Sequence, residues 1–331
     1  MLHTRSASQP EPNRPYPPIS PQTFATPEQA GSAPPRADIP APPRTTAAQP
    51  DTPYDYGSPA RRVREASVYD GARPARATPR LWLRIPLANP RVTPVLLGVL
   101  ITIFGLMVLA GGSLSPADRQ GLLQDWGAKV NSLIADGEWW RLITATFLHA
   151  NFVHIALKGY ALYVIGIDLE ALVGRARFIA IYFVSGLAGS IASFIFSPAM
   201  GVGASGAIFG LIGALAIYYG LHRRLFGKIG QIQFWNIIAV IALNIAFGFS
   251  GILPVDNSAH LGGLVAGLAM GYVLCPRYIA GKWVMHHVRD VVNANTGPLP
   301  WIAAGLLALN LVLVFLVSVI LYRAGVVLYI Y

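Results

Sequence analysis

Only one cysteine, Cys275, stands in the 331 residues, which excludes a disulfide framework within the chain and a cysteine-built metal site. The seven histidines are scattered with no HExxH spacing, so a zinc protease finds no support, and neither metal nor cofactor is expected. Charge is scarce as well. Charged residues make up 12% of the chain against 54% hydrophobic, with a mean hydropathy of +0.50, which describes a polytopic membrane protein rather than a soluble domain. Lysine is missing from the first 92 residues. That stretch also lacks a sustained apolar period and an apolar h-region, which argues against a folded domain and against a secretory signal peptide.

What the first 92 residues do contain is proline, 19 of the chain's 26, and 12 Arg against seven acids, a net of +5. Residues 1–80 read as a disordered Pro/Arg-rich tail and 81–92 as a basic juxtamembrane segment. Such charge favours the cytoplasmic side and contact with anionic headgroups. Nothing foldable accompanies it, so no nucleic-acid partner is expected. The Pro-rich run offers an unknown partner a site, although a solvated spacer is the simpler reading.

Seven apolar segments follow, at about 93–112, 152–173, 178–196, 206–221, 234–250, 259–275 and 301–322. With the tail inside, the short inner loops carry Arg175, Arg177, Arg223, Arg224, Lys228, Arg277, Lys282 and Arg289, whereas the outer loops 197–205 and 251–258 have no Lys or Arg. That is the positive-inside pattern. The long outer loop 113–151, with Trp126, Trp139, Trp140 and Phe147, predicts an amphipathic structure in the membrane interface. Residues 276–331 read as a cytoplasmic connector and a seventh span. Asn236 and Asn244 in the fifth span are expected to bond between helices.

Two polar residues stand out on this map. Ser205, within Gly203-Ala204-Ser205-Gly206, opens the fourth span, and His260 opens the sixth, so both lie at one depth near the outer leaflet. A lone serine among small residues usually serves helix packing. A histidine partner changes that reading, because a neutral imidazole can take the proton of a hydroxyl otherwise too weakly acidic to attack. Below Ser205 lie Gly206 and Gly210; below His260 lie Gly263, Gly267 and Gly271. These seams predict backbone-to-backbone contact of the two helices. The fourth span, with 16 residues, is short against the ~20 that cross a bilayer, so the backbone before it must be buried in protein or wetted by a cavity.

Together, Gly203-Ala204-Ser205-Gly206 and Ala259-His260-x-x-Gly263-x-x-x-Gly267 resemble the rhomboid family of intramembrane serine proteases. Glu138-Trp139-Trp140-Arg141 resembles the family's Trp-Arg motif, and His149 and His154 its paired histidines. Gly166-x-x-x-Glu170-x-x-x-Gly174 is similar to the inner end of its second span, and Phe209 falls where an aromatic often packs on the imidazole. The resemblance implies an all-α rhomboid-like six-helix core over 93–275, with a seventh C-terminal transmembrane helix. It also implies a Ser205–His260 dyad cleaving single-span membrane proteins in or beside their transmembrane segments, in a bacterial plasma membrane with a cytoplasmic N-terminus. The oxyanion would meet the backbone N–H of Ser205 and His154. Asp256 and Asn257 are read as loop residues.

One position departs from the family. Its HxxxN pattern reads His154-Ile155-Ala156-Leu157-Lys158 here, and residues i and i+4 share a helix face. Lys158 is therefore expected either to aim into the cavity as a cationic oxyanion donor or to snorkel toward the headgroups. It also keeps open an alternative, a catalytically silent binder of membrane clients.

Overall fold

The computed structural model describes residues 82–111, 116–250, 255–285 and 288–326. The tail expected over 1–80 lies outside them. Seven long helices occupy the seven expected spans. The first is α1 (Val92–Gly111). The connection to the next long helix holds three short helices, α2 (Pro116–Asp125), α3 (Asn131–Ala135) and α4 (Arg141–Thr144), and a 3-10 turn over Ala145–Phe147. Then come α5 (Phe152–Val173), α6 (Arg175–Phe196), α7 (Ser205–His222), α8 (Gly227–Phe249), α9 (Asn257–Leu274) and α10 (Leu299–Arg323).

Six of the seven are long and apolar enough to cross a membrane. α9 falls outside that group because Asn257, His260 and four glycines dilute its apolar residues. It is instead enclosed, packed chiefly between α6 and α7. α7 is the most deeply buried of the six and α8 the least. The chain is thus an all-α polytopic membrane protein with one small addition.

That addition corrects the expected connector. Residues taken as loop form β2 (Tyr278–Met285) and β3 (Val288–Asn293), joined by β1 (Trp82–Arg84) from the juxtamembrane segment in a three-stranded sheet of order β1-β3-β2. β1 runs parallel to β3, and β2 antiparallel with Ile279 opposite Val292. The sheet is tied to the bundle where the Tyr278 N–H donates to His222 at the end of α7, 2.9 Å away.

Apolar helices gain little from burial against one another in lipid, so small residues and polar anchors must hold them. The seam between α7 and α9 is built in this way. A Cβ at Gly263 would collide with the backbone of Gly206, one at Gly267 with Gly210, and one at Gly271 with Ala214. The constant spacing means that the two helices run parallel and in register. α1 and α5 are fixed differently. Glu170, fully buried, accepts the N–H groups of Arg91, Val92 and Thr93 at 2.7–2.8 Å and the Thr93 hydroxyl at 2.8 Å, which satisfies the orphan donors of α1's first turn. Gly166, one turn before it, lets Thr93 approach so closely that a Cβ would stand 2.8 Å from its methyl. Gly174 joins α5 to α6 as a single residue at φ +83°, a conformation that glycine adopts without strain.

Candidate active site

Ser205 is the first residue of α7, which has 18 residues rather than 16 and so spans ~27 Å at 1.5 Å per residue. His260 lies in the first turn of α9, whose N-cap Asp256 accepts the Ala259 N–H at 2.9 Å. The imidazole stacks on Phe209, ring centroids 4.2 Å apart and 14° from parallel. Since Phe209 follows Ser205 by four residues, both side chains lie on one face of α7, and His260 is set against that face. Ser205 and His260 are 9% and 7% exposed.

The second wall comes from the N-terminal end of α5, capped by the Asn151 side chain accepting the His154 N–H at 2.8 Å. A Cβ at Gly203 would stand 2.8 Å from Cε1 and 2.9 Å from Nε2 of His154. Gly203, at φ +116°, is thus what lets the imidazole reach the serine turn. His149 meets His154 edge to face at 5.1 Å. Burial, reinforced by His154, pushes His149 down to about 4. Its ring nitrogens have no partner of ordinary hydrogen-bond geometry, and a looser approach of the Phe147 backbone offsets the burial only in part. Lys158, one turn after His154 on the same face of α5, is half-buried.

The connection between α1 and α5 supports this arrangement. Arg141, 5% exposed, pairs with Glu138 at 2.7 Å, donates to the carbonyls of Gln124 and Ala128 at 2.6 and 3.1 Å, and lies over the Trp140 ring at 4.7 Å. Trp139 packs edge-on against Phe315 of α10, 5.8 Å between centroids. The irregular backbone before Ser205 is held by hydrogen bonds to the protein, although Pro198 and Ala199 are exposed: the Gly203 N–H donates to Ala145 O at 2.8 Å, and Asn131 donates to Phe194 O and Ser197 O, both at 3.1 Å.

Residues 136–277 of the chain match a Rhomboid domain model. The chain is 44% identical over 180 residues to the rhomboid protease GluP of Bacillus subtilis, covering 54% of this chain and 34% of that protein. It is 34% identical over 190 residues to the rhomboid protease AarA of Providencia stuartii, covering 49% and 66%. A putative rhomboid protease of Bacillus subtilis, YdcA, is 35% identical over 160 residues, 48% of this chain and 78% of its own length. The chain belongs to the rhomboid family. It spans about a third of GluP and about two thirds of AarA.

Within this rhomboid, sequence reasoning missed two residues. Lys129 and Asp256 line a small polar cavity, about 30 Å³, together with Ser190, Ser193 and Ser205. Asp256 is a helix cap rather than a loop residue. Asn257, read the same way, donates to the Gly248 carbonyl at the end of α8, 2.9 Å away. Asn244 bonds within its own helix, to Val240 O at 2.8 Å, and not between helices, because α8 exposes most of its surface. A larger cavity of about 500 Å³ lies between α6, α9 and α10, against Leu261, Gly262 and Val265. It opens on the side of α9 away from His260, and its walls are almost wholly apolar, so it offers no chemistry of its own.

Proposed function

We propose that the chain is an intramembrane serine endopeptidase that cleaves single-span membrane proteins in or beside their transmembrane segments. The observation that carries the reading is the Phe209–His260 stack, which sets an imidazole on the face of α7 that begins with Ser205. Ser205 Oγ attacks the scissile carbonyl as His260 takes its proton. The negative oxygen that forms meets the Ser205 backbone N–H, His154 and the Lys158 ammonium. The intermediate collapses, and His260 returns its proton to the leaving amine. Water, deprotonated by the same imidazole, then hydrolyses the acyl-enzyme. Stacking on Phe209 keeps the ring plane fixed through both transfers. The outer-leaflet depth of the dyad and a cytoplasmic N-terminus belong to the same proposal and rest on the charge map.

The test is labelling of purified protein with a serine-directed fluorophosphonate, alongside cleavage of a model single-span substrate. Wild type is expected to label and cleave, and Ser205→Ala and His260→Ala to do neither while remaining folded. Full cleavage by either variant would remove the reading. Lys158, where the family pattern has asparagine, favours the second reading, a silent binder of membrane clients. An inert, unlabelled wild type would put that reading first.

A further inference from the structure

A buried cation outside this reading grips the loop before Ser205. Lys129 lies between α2 and α3 and is 1% exposed. Its N–H donates to the Gly201 carbonyl at 2.9 Å, and the Gly201 N–H donates back at 3.1 Å. Its ammonium donates to Ser197 O at 2.7 Å and Ala199 O at 2.9 Å. Three carbonyls in five residues of the loop thus end on one residue of the outer segment. Gly201 leaves room for it, since a Cβ there would stand 3.3 Å from Lys129 Cδ.

Asp256 lines the same small cavity as Lys129, and a Cβ at Gly201 would stand 3.3 Å from Lys129 Cδ and 3.6 Å from Asp256 Oδ2. Arg141 reaches the neighbouring Ala128 carbonyl but is committed to Glu138, and on α6 the hydroxyls of Ser190 and Ser193 line the same cavity. Asp256 has duties of its own on α9. Oδ1 caps the helix at Ala259 N–H, Oδ2 accepts the Ser193 hydroxyl, and the Asp256 carbonyl accepts the His260 N–H at 3.1 Å. One end of the pair therefore holds the turn that leads to Ser205, and the other holds the turn that carries His260. Burying the Lys129 ammonium beside a half-buried Asp256 is costly even when the charges are matched, and such a placement is not needed merely to close a loop.

We propose that Lys129 and Asp256 form a charged clasp that positions the Ser205 turn against the His260 helix. Both are positioning residues, and the proposal rests on the serine-protease reading. Burial lowers Lys129 to about 8, with Asp256 acting the other way. The clasp is therefore intact below that pH and loses its positive half above it.

The test uses the full chain in detergent with Lys129→Met, Asp256→Asn, their double variant and Lys129→Arg. Lys129→Met is expected to lower kcat by ~10²-fold with KM nearly unchanged, the usual effect of a misplacement of about 1 Å. The double variant should be no worse than the poorer single one, because the two changes break one interaction. Wild type should lose activity above pH ~8, while Lys129→Arg, whose guanidinium stays charged, should keep it. An unchanged kcat, additive effects, or the same alkaline limb in wild type and Lys129→Arg would each overturn the clasp. If Lys129→Met fails to fold, Asp256→Asn and Lys129→Arg carry the measurement. A wild type that the fluorophosphonate does not label defeats the protease reading instead. The clasp is then judged by the coupling of the two variants in thermal unfolding, where additivity would overturn it.

Discussion

Placing one methyl group on the seam between α7 and α9 should move the dyad apart. A Cβ at Gly263 would stand 2.6 Å from the Gly206 carbonyl carbon and 2.9 Å from its Cα, with the Gly206 oxygen closer still. Carbon atoms prefer ~3.5 Å or more, so the helices must separate by about 1 Å. Gly206 adjoins Ser205, and Gly263 lies less than one turn below His260, so the displacement is delivered at the site. Gly263→Ala is expected to cost ~1–3 kcal/mol of stability and ~10²-fold in kcat. Gly271→Ala meets Ala214 Cα at 2.7 Å and should cost similar stability. It lies two turns further in, ~12 Å along the helix, and should spare most of the activity. Cys275 supplies the assay. Its thiol is fully buried against the Ala214 carbonyl at the far end of the same seam from Ser205, so a fluorogenic maleimide reports unfolding as the helices part. Cleavage is measured on the same samples. If Gly263→Ala melts and cleaves like wild type, or if Gly271→Ala loses activity as fully as Gly263→Ala, the seam does not set the distance between Ser205 and His260.

Two further outcomes can be checked alongside. Lys158→Asn should retain cleavage, and Lys158→Ala should cut the rate by ~10²–10³, the usual cost of a lost oxyanion donor; equal rates for wild type and Lys158→Ala would withdraw the lysine from catalysis, and activity gained only in Lys158→Asn would make it a silencing residue. Deletion of residues 1–80 should leave cleavage in detergent intact, since their composition predicts no core contacts, and an inactive truncation would show that the tail belongs to the enzyme.

Local signals in the sequence were legible and distant pairings were not. The spans follow from hydropathy, which needs only a window of neighbours, and the glycine seam follows from i, i+4 spacing on each helix. Ser205 and His260 could be matched because topology alone puts both at helix starts on one side. The clasp of Lys129 and Asp256 joins residues far apart in the chain, and neither has a period or motif that announces it. A buried lysine in a polar loop reads as a solvated one until its carbonyl partners are seen. The sheet was missed because β2 is broken by Gly281 and by register shifts on either side of Trp283, and the third strand comes from a segment far away in the chain. Asn244 was misread because an exposed helix gives a polar side chain its own carbonyl as the nearest acceptor.

The carboxylate of Glu170 has a mechanical meaning that its place in the fold makes plain. It fastens α5 to α1 at one end of the helix, while His154 and Lys158 stand at the other, 16 residues from it in the case of His154, or ~24 Å away. α5 can therefore act as a lever held at its C-terminal end, on which a tilt of about 2° swings the His154 side by roughly 1 Å, the size of misplacement that typically costs an active site ~10² in rate. Four hydrogen bonds at one end of α5 thus help to aim a group at the other, together with the packing of α5 on α1 and α7.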